Sequence, residues 1–301
     1  MAKTTVIPLD LNFQGNPKAI ACYLIKHKSG AVLIESGPGS TLKALEKGLE
    51  DNGLTFRDVT HVLLTHIHLD HAGAAGRLAH LGATIYVHPA GAPHLVDPER
   101  LLASATRIYG EKMESLWGEF LPVPEEKIKI LRHEEEFEID DLQFVALHTP
   151  GHAEHHISYL FEDIWFSGDV GGVRIPGYPY LRVPMPPPEL NFEKWHASIS
   201  LLRNYKLKKI APTHFGIFDD IDWHLTQVEA ALRKSERWIE SVMPGEPSIE
   251  VLRDRFATFM EAEASALHMD AQAIKVYALA NPLGMSADGL QRYWRKYRAS
   301  T

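Results

Sequence analysis

The segment HIHLDH at residues 66–71 follows directly on a short apolar run. Placing three imidazoles and a carboxylate close together costs free energy if they remain bare polar groups. A divalent cation stabilises the arrangement, because it accepts a lone pair from each. His66 and His68 are spaced to bind one ion from a loop at the end of a strand. Asp70 and His71 then point toward a second ion. The segment therefore predicts a metal site at a strand end rather than a His-rich surface loop.

The amino-acid composition limits which kinds of protein this chain can be. The chain has 301 residues, of which 45% are apolar and 23% are charged, so it can form one large α/β domain or two smaller ones. The net charge of −8, from 31 basic and 39 acidic residues, argues against a broad nucleic-acid surface, because such surfaces need a basic excess. Cys22 is the single cysteine, which excludes an internal disulfide and a thiolate-rich zinc site.

The sequence also predicts that the protein has no membrane segment. Its apolar stretches all fall short of the ~18 residues of a transmembrane helix. Residues 1–7 lack the apolar core of a signal peptide. We therefore expect a cytoplasmic protein without a membrane partner.

Alternating runs of strands and helices predict two sheets with helices outside them. Strands are predicted at residues 4–13, 19–27, 31–35, 61–65, 84–88, 128–131, 137–139, 142–148, 158–161, 164–167 and 209–212. Helices are predicted at residues 40–52, 72–81, 98–120, 190–205 and 221–241, with three more within 248–298. Ser40 and Ser286 are the predicted N-caps of the first and last helices. Residues 176–188 carry six prolines and cannot form regular structure.

Three later segments each place a metal-capable side chain close after a predicted strand. The segment HTPGH offers His152 as a further neutral ligand for the first ion. The segment FSGD ends in Asp169, whose carboxylate can bridge two ions, and the segment PTHFG offers His214 for the second ion. These three residues therefore supply the remaining donor atoms that two metal ions need.

Together with IESGPG at residues 34–39, these segments resemble in order and spacing the motifs of the metallo-β-lactamase superfamily of binuclear hydrolases. The resemblance covers about residues 4–234 and favours the glyoxalase II and lactonase-like branch over a true β-lactamase. It implies a four-layer αββα sandwich. It also implies two divalent metal ions per chain. Zinc is the favoured metal, and iron and manganese are the alternatives.

The resemblance assigns a role to each matching residue. One ion is held by His66, His68 and His152, and the other by Asp70, His71 and His214, with Asp169 bridging both. Asp70 is the implied catalytic residue, which orients a hydroxide held by the two ions and returns a proton to the leaving group. Glu35 stands where the family usually has Asp and is expected to hydrogen-bond a ligand histidine.

Departures from the family pattern narrow the predicted substrate. Zinc β-lactamases of the main class usually carry Cys where Asp169 stands and lack a residue like His71, which argues against antibiotic hydrolysis. The sequence around His214 differs from the Gly-His-Glu-Tyr of glyoxalase II enzymes. Quorum-signal lactonases carry a Tyr soon after the bridging Asp, a place that Tyr178 or Tyr180 could fill here. With Arg174, these two tyrosines are the predicted substrate-binding residues.

The favoured function is hydrolysis of an ester-like bond in a small metabolite: a lactone, a thioester or another carboxylic ester. Phosphodiester or RNA cleavage by the same superfamily is the first alternative, because two ions can also stabilise a phosphoryl transition state. A metal-binding regulator or an iron-dependent redox protein on the same scaffold is the second.

The predicted domains are a catalytic domain at residues 1–234 and a helical segment at residues 235–301. A basic helix near the C-terminus would suit a helix-turn-helix that binds nucleic acid. Its aromatic residues Tyr293, Trp294 and Tyr297 instead favour packing, as a cap over the site or a homodimer contact. A small-molecule substrate is therefore expected as a partner, and nucleic acid is not.

Overall fold

The apolar runs near the N-terminus form one sheet in a computed structural model, which describes residues 4–299. Its strands are β1 (Val6–Asp10), β2 (Ala21–His27), β3 (Gly30–Ile34), β4 (Val59–Leu63), β5 (Thr84–Val87) and β6 (Ile128–Ile130), in that order. The pairs β1–β2 and β2–β3 are antiparallel, and β3 to β6 are parallel. Because parallel strands end at the same edge of a sheet, the residues that follow β3 and β4 lie close together.

A second sheet packs against the first. Four of its strands are β7 (Glu135–Ile139), β8 (Leu142–His148), β9 (Ile157–Phe161) and β10 (Ile164–Phe166), in the antiparallel order β10-β9-β8-β7. The Tyr23 and Phe166 rings lie 5.4 Å apart, and the hydroxyl of Tyr159 donates to the Leu64 carbonyl across 2.7 Å. Buried aromatic and aliphatic residues therefore fill the space between the sheets.

These sheets belong to one of two compact units into which the chain divides. The first unit contains residues 4–148 and 157–166, and the second contains residues 149–156 and 167–299. The helices of the first unit are α1 (Leu42–Glu50), α2 (Leu69–Ala72), α3 (Ala75–His80), α4 (Ala92–Val96), α5 (Glu99–Tyr109) and α6 (Met113–Trp117).

Two helix predictions in the first unit are wrong in detail. The single helix predicted at residues 98–120 is divided into α5 and α6, because Gly110 and Gly118 take positive φ angles of 54° and 65° where these helices end. Ser40 does not cap α1. Its hydroxyl donates instead to the Leu116 carbonyl at 2.6 Å, a contact between segments that the local sequence does not reveal.

The second unit is mainly helical. Its elements are α7 (Phe192–Leu202), β11 (Lys209–Ala211), α8 (Ile221–Val242), α9 (Ile249–Ala266), α10 (Ala271–Ala280) and α11 (Leu283–Tyr297). The three predicted C-terminal helices are thus confirmed, while the predicted domain boundary at residue 234 falls inside α8. None of the helices within residues 4–299 is both long and apolar enough to cross a bilayer.

The proline-rich segment at residues 176–188 is irregular, as predicted. Hydrogen bonds with residues of helices α10 and α11 and the turn between them hold this segment in place. Asn281 donates to the Val183 carbonyl at 3.2 Å, and the Met185 amide donates to the Ser286 hydroxyl at 3.3 Å. Ser286 is therefore not the N-cap of α11, which begins three residues earlier. The two contacts hold the residues on either side of Pro184.

Candidate metal centre

The HIHLDH segment lies between the end of β4 and the first turn of α2, in the first unit. The Nε2 atom of His66 lies 2.9 Å from Nδ1 of His68. Nε2 of His71 lies 3.6 Å from a carboxylate oxygen of Asp70. Two nitrogen ligands of a tetrahedral zinc ion lie ~3.3 Å apart, given Zn–N bonds of ~2.0–2.1 Å. The spacings within this segment are therefore those of neighbouring metal ligands.

Glu35 supports the segment from the turn after β3. The residue is fully buried and holds a left-handed φ of 65°, which is uncommon for a residue other than glycine. One carboxylate oxygen accepts from the Thr65 hydroxyl at 2.5 Å and from Nδ1 of His71 at 2.9 Å. The other accepts from the Thr65 amide at 3.1 Å. Glu35 therefore joins the ends of β3 and β4 to His71.

This carboxylate determines which nitrogen of each histidine carries the proton. A carboxylate only accepts, so His71 must donate through Nδ1, and its Nε2 keeps the lone pair for a metal ion. The Thr65 hydroxyl donates to Glu35, so it accepts from Nδ1 of His66 at 3.1 Å. The same reasoning then leaves the lone pair of His66 on Nε2. One buried carboxylate thus orients two of the predicted ligands.

A second group of predicted ligands lies in the second unit, around Asp169. One oxygen of this carboxylate lies 3.3 Å from Nε2 of His152, and the other lies 3.4 Å from Nε2 of His214. All three side chains are buried. A carboxylate that presents one oxygen to each of two histidines has the arrangement of a ligand that bridges two ions.

The backbone around His152 is built to hold this ring in place. Gly151 has a φ of 141°, and a Cβ atom there would lie 2.4 Å from Cβ of Trp195, so only glycine fits. The Trp195 ring meets the His152 ring edge to face at 5.9 Å. Nδ1 of His152 donates to the Pro184 carbonyl at 2.9 Å, which leaves the lone pair on Nε2. Helices α10 and α11 thus reach His152 through Pro184.

A model of one protein family matches residues 15–214, the part of the chain that contains these ligands. The family is described as the metallo-β-lactamase superfamily. The chain belongs to this superfamily. The family resemblance predicted from the motifs is therefore confirmed.

The relatives agree with this assignment. A metallo-β-lactamase fold-containing protein from Sulfurisphaera tokodaii, ST1585, is 25% identical over 219 residues, which cover 70% of this chain and 79% of the relative. The structure of ST1585, described under the organism name Sulfolobus tokodaii, has a TM-score of 0.68 at 19% identity and covers 96% of this chain and 99% of that one.

Two other solved structures share the fold. A metallo-β-lactamase family protein from Thermus thermophilus, TTHA1429, has a TM-score of 0.66 at 19% identity and covers 98% of this chain and 94% of that one. A class B3 di-zinc metallo-β-lactamase from an Alaskan soil metagenome has a TM-score of 0.56 at 14% identity and covers 79% of this chain and 92% of that one. These likenesses confirm the predicted metallo-β-lactamase fold.

Sequence reasoning missed His224, which supports the Asp169 loop of this superfamily member. His224 lies in the first turn of α8, and its Nε2 donates to the Gly171 carbonyl at 2.7 Å. Burial lowers the pKa of His224 to about 4, although its hydrogen bond to Gly171 opposes the shift. The ring is therefore neutral at pH 7. A lone histidine in an amphipathic helix carries no sequence signal that would identify this role.

The predicted substrate-binding residues all have partners within the second unit. Arg174 forms a bidentate ion pair with Asp220 at 2.6 and 2.7 Å. The Tyr178 hydroxyl donates to Asp270 at 2.9 Å, and the Tyr180 hydroxyl accepts from the side chain of Arg182. These contacts account for where the three side chains lie, and their role toward a substrate stays a prediction.

The extra histidines after His152 make contacts other than those of the predicted ligands. Nδ1 of His156 lies 2.9 Å from the Thr149 hydroxyl, and Nε2 of His155 lies 3.7 Å from a carboxylate oxygen of Glu189. Neither residue is among the metal ligands predicted from the sequence.

Proposed function

We propose that this chain is a binuclear metallohydrolase that cleaves an ester-like bond of a small metabolite. The observation that carries the proposal is the carboxylate of Asp169, which presents one oxygen to His152 and the other to His214 at 3.3 and 3.4 Å. Such a carboxylate is suited to bind two ions that lie side by side, because each of its oxygens can bind one of them.

The proposed ligands are the residues that match the superfamily motifs. One ion takes His66, His68 and His152, and the other takes Asp70, His71 and His214, with Asp169 shared. All are nitrogen or oxygen donors, a set that suits zinc and also iron or manganese. We favour zinc, because a related fold is described as a di-zinc enzyme. Bound there, the ions would lower the pKa of water toward ~7 and stabilise negative charge on a carbonyl oxygen.

Asp70 is the proposed catalytic residue of the chain itself. Its side chain is 21% exposed, whereas that of the neighbouring His71 is fully buried, so Asp70 can reach both the site and a substrate. A carboxylate in this place can accept a proton from the attacking water and pass it to the leaving group. Burial and the charge of Asp70 raise the pKa of Tyr109, so the Tyr109 hydroxyl stays protonated beside this carboxylate.

The cations near the second group of ligands favour a small ester over a polyanion. Arg174 is neutralised by Asp220, and Arg182 is only 2% exposed. A nucleic-acid strand needs a track of accessible cations along its phosphates. A carbonyl ester needs little positive charge beyond the metal ions themselves. The pairing of Arg174 and the burial of Arg182 therefore support lactones, thioesters or other carboxylic esters as the substrate class.

A substrate panel tests this proposal. The zinc-loaded protein would be assayed with lactones, thioesters, aryl esters, phosphodiesters and short RNAs, and the Asp70→Asn variant would control for contaminating activity. We expect the highest kcat/KM for a carbonyl ester. A phosphodiester or RNA preferred by about tenfold, which is ~1.4 kcal/mol of transition-state stabilisation, would replace the proposal with the phosphodiesterase alternative. Oxygen-dependent turnover by an iron-loaded protein that hydrolyses no substrate would replace it with the redox alternative.

A further inference from the structure

Arg182 is a buried cation that lacks an anionic partner in the second unit. Its side chain and backbone together are only 2% exposed. Nε donates to the Tyr180 hydroxyl at 3.0 Å, and the guanidinium carbon lies 5.4 and 5.2 Å from the ring centres of Tyr180 and Tyr277. Among residues 4–299, no carboxylate forms an ion pair with Arg182, and its terminal nitrogens donate to none of these residues.

Two tyrosine rings do not replace the hydration that such a charge loses. Buried guanidinium groups are normally paired with a carboxylate or a phosphate, since an uncompensated charge in a protein interior is strongly destabilising. Stacking on aromatic rings compensates only part of this loss. The planar fork of donors is also the geometry that binds an oxyanion through two parallel hydrogen bonds. Arg182 is therefore preorganised for an anion.

Arg182 is one of the residues that line a pocket between residues 181–185 and the helices α8 and α9. The cavity volume is about 20 Å³, and since ~10–15 Å³ holds one water, it admits one small polar group. Its apolar wall includes Phe256 and Met260. None of the proposed metal ligands lines this pocket, so it is separate from the site described above.

The charges at the rim of the pocket give it a positive balance. Lys234 and Glu263 line it together and form an ion pair with each other. Arg182 is the remaining charge of the lining, so the sum is one positive charge. Burial and the nearby Arg237 lower the pKa of Lys234, as expected for an ammonium group in electropositive surroundings. An anion at the mouth would interact favourably with both cations.

The other polar groups of the lining are already satisfied within the unit. The Ser235 hydroxyl donates to the Ala231 carbonyl at 2.9 Å. Asn281 donates to the Val183 carbonyl and accepts from Ser286 at 2.8 Å. Arg182 is therefore the lining side chain with the most unused donors, which favours a negatively charged ligand.

We propose that this pocket is a binding site for a small oxyanion, either a carboxylate or a phosphate group. Arg182 binds the anion inside the pocket, and Lys234 binds it at the rim. The size of the cavity places one end of the anion inside and leaves the remainder of the ligand at the mouth, against Phe256 and Met260.

Calorimetric titration of the metal-loaded protein tests the proposal. The probes are sodium acetate, sodium butyrate and inorganic phosphate, at constant ionic strength set with sodium chloride. Comparing the affinities for acetate and butyrate with the affinity for phosphate shows whether the pocket prefers a carboxylate or a phosphate group. Tighter binding of butyrate than of acetate would show that the apolar wall contributes to the affinity. Metal ions can bind the same anions elsewhere, so the variants described next identify the pocket.

Two variants at the rim should move the affinity in opposite directions. Lys234→Met removes a cation and should weaken binding about fivefold, whereas Glu263→Gln removes the competing carboxylate and should strengthen binding by a similar factor. Arg203→Met, which removes a surface arginine paired with Glu229, is the matched control and should leave the affinity unchanged. Arg182→Gln should abolish binding, and if that variant does not fold, the opposite shifts at the rim still decide.

Two results would overturn the proposal. One is the lack of saturable binding of any of the three probes by the wild-type protein. The other is an affinity that Lys234→Met and Glu263→Gln leave equal to that of the wild type, because the anion would then be bound elsewhere. A merely structural Arg182 would not produce tighter binding in Glu263→Gln.

Discussion

The buried carboxylate of Glu35 can be tested by Glu35→Gln, which keeps the size of the side chain and removes its charge. In the wild type, one oxygen accepts from Nδ1 of His71 at 2.9 Å and the other accepts from the Thr65 amide at 3.1 Å. The amide group of Gln has one acceptor and one donor. Whichever way it turns, its NH₂ faces either the His71 proton or the Thr65 amide proton. The substitution therefore creates a conflict that the structure cannot avoid by rotation.

The size of the effect follows from these contacts. A buried donor that loses its acceptor costs ~1–3 kcal/mol, which is the expected loss in the free energy of unfolding of the metal-free protein. Relieving the conflict at His71 moves its proton to Nε2, the nitrogen proposed to bind metal. Loss of such a supporting contact typically lowers metal affinity ~10–100-fold, or ~1.4–2.8 kcal/mol of binding free energy.

The assay measures these two quantities separately. Competition with a chromophoric chelator gives the zinc affinity, and denaturant unfolding of the metal-free protein gives the stability. Glu138→Gln is the matched control, because Glu138 is an exposed carboxylate on β7 and should change the stability by less than ~0.5 kcal/mol. Wild-type zinc affinity and wild-type stability in Glu35→Gln would refute the role assigned to this carboxylate.

Four further predictions follow from the proposed site. Asp169→Ala should reduce the zinc content from two ions per chain to one or none, as measured by elemental analysis, and two retained ions would contradict the bridge. Asp70→Asn should lower kcat by orders of magnitude in a folded protein, so near-normal turnover at full metal occupancy would remove Asp70 from the mechanism. The pKa of His224 is about 4, below its ordinary value of 6.5, so its contribution to stability is complete above pH ~6.5 and is lost as the pH falls to about 4. His224→Gln should therefore shrink the fall in unfolding free energy over that range by ~3 kcal/mol, and an unchanged fall would show that His224 does not titrate this way. Asn281→Ala should weaken zinc binding by loosening the segment whose carbonyl orients His152, an effect that chelator competition would detect and that a control substitution of the exposed Asn204, Asn204→Ala, should not show.

The sequence by itself determined the family and most of the elements, and it predicted the donor residues of the proposed metal site. These depend on patterns that are local in the chain. The HIHLDH segment, the glycine before His152 and the carboxylate after the tenth strand each lie within a few residues of an apolar run that forms a strand. Chain-local periodicity also predicted the two sheets and the three C-terminal helices. Their bounds were less accurate where a predicted N-cap did not form, as at Ser40, and where a glycine ended a helix, as at Gly110.

Only the tertiary structure decided which partner each polar side chain meets. Arg174 and Arg182 lie eight residues apart in one irregular segment, and their sequence surroundings do not distinguish them. Arg174 pairs with Asp220, which follows 46 residues later, whereas Arg182 stacks on Tyr277 and meets no carboxylate among residues 4–299. The reason is physical: the charge and hydrogen bonding around a buried group are set by segments distant in the chain, and these come together only when the chain folds.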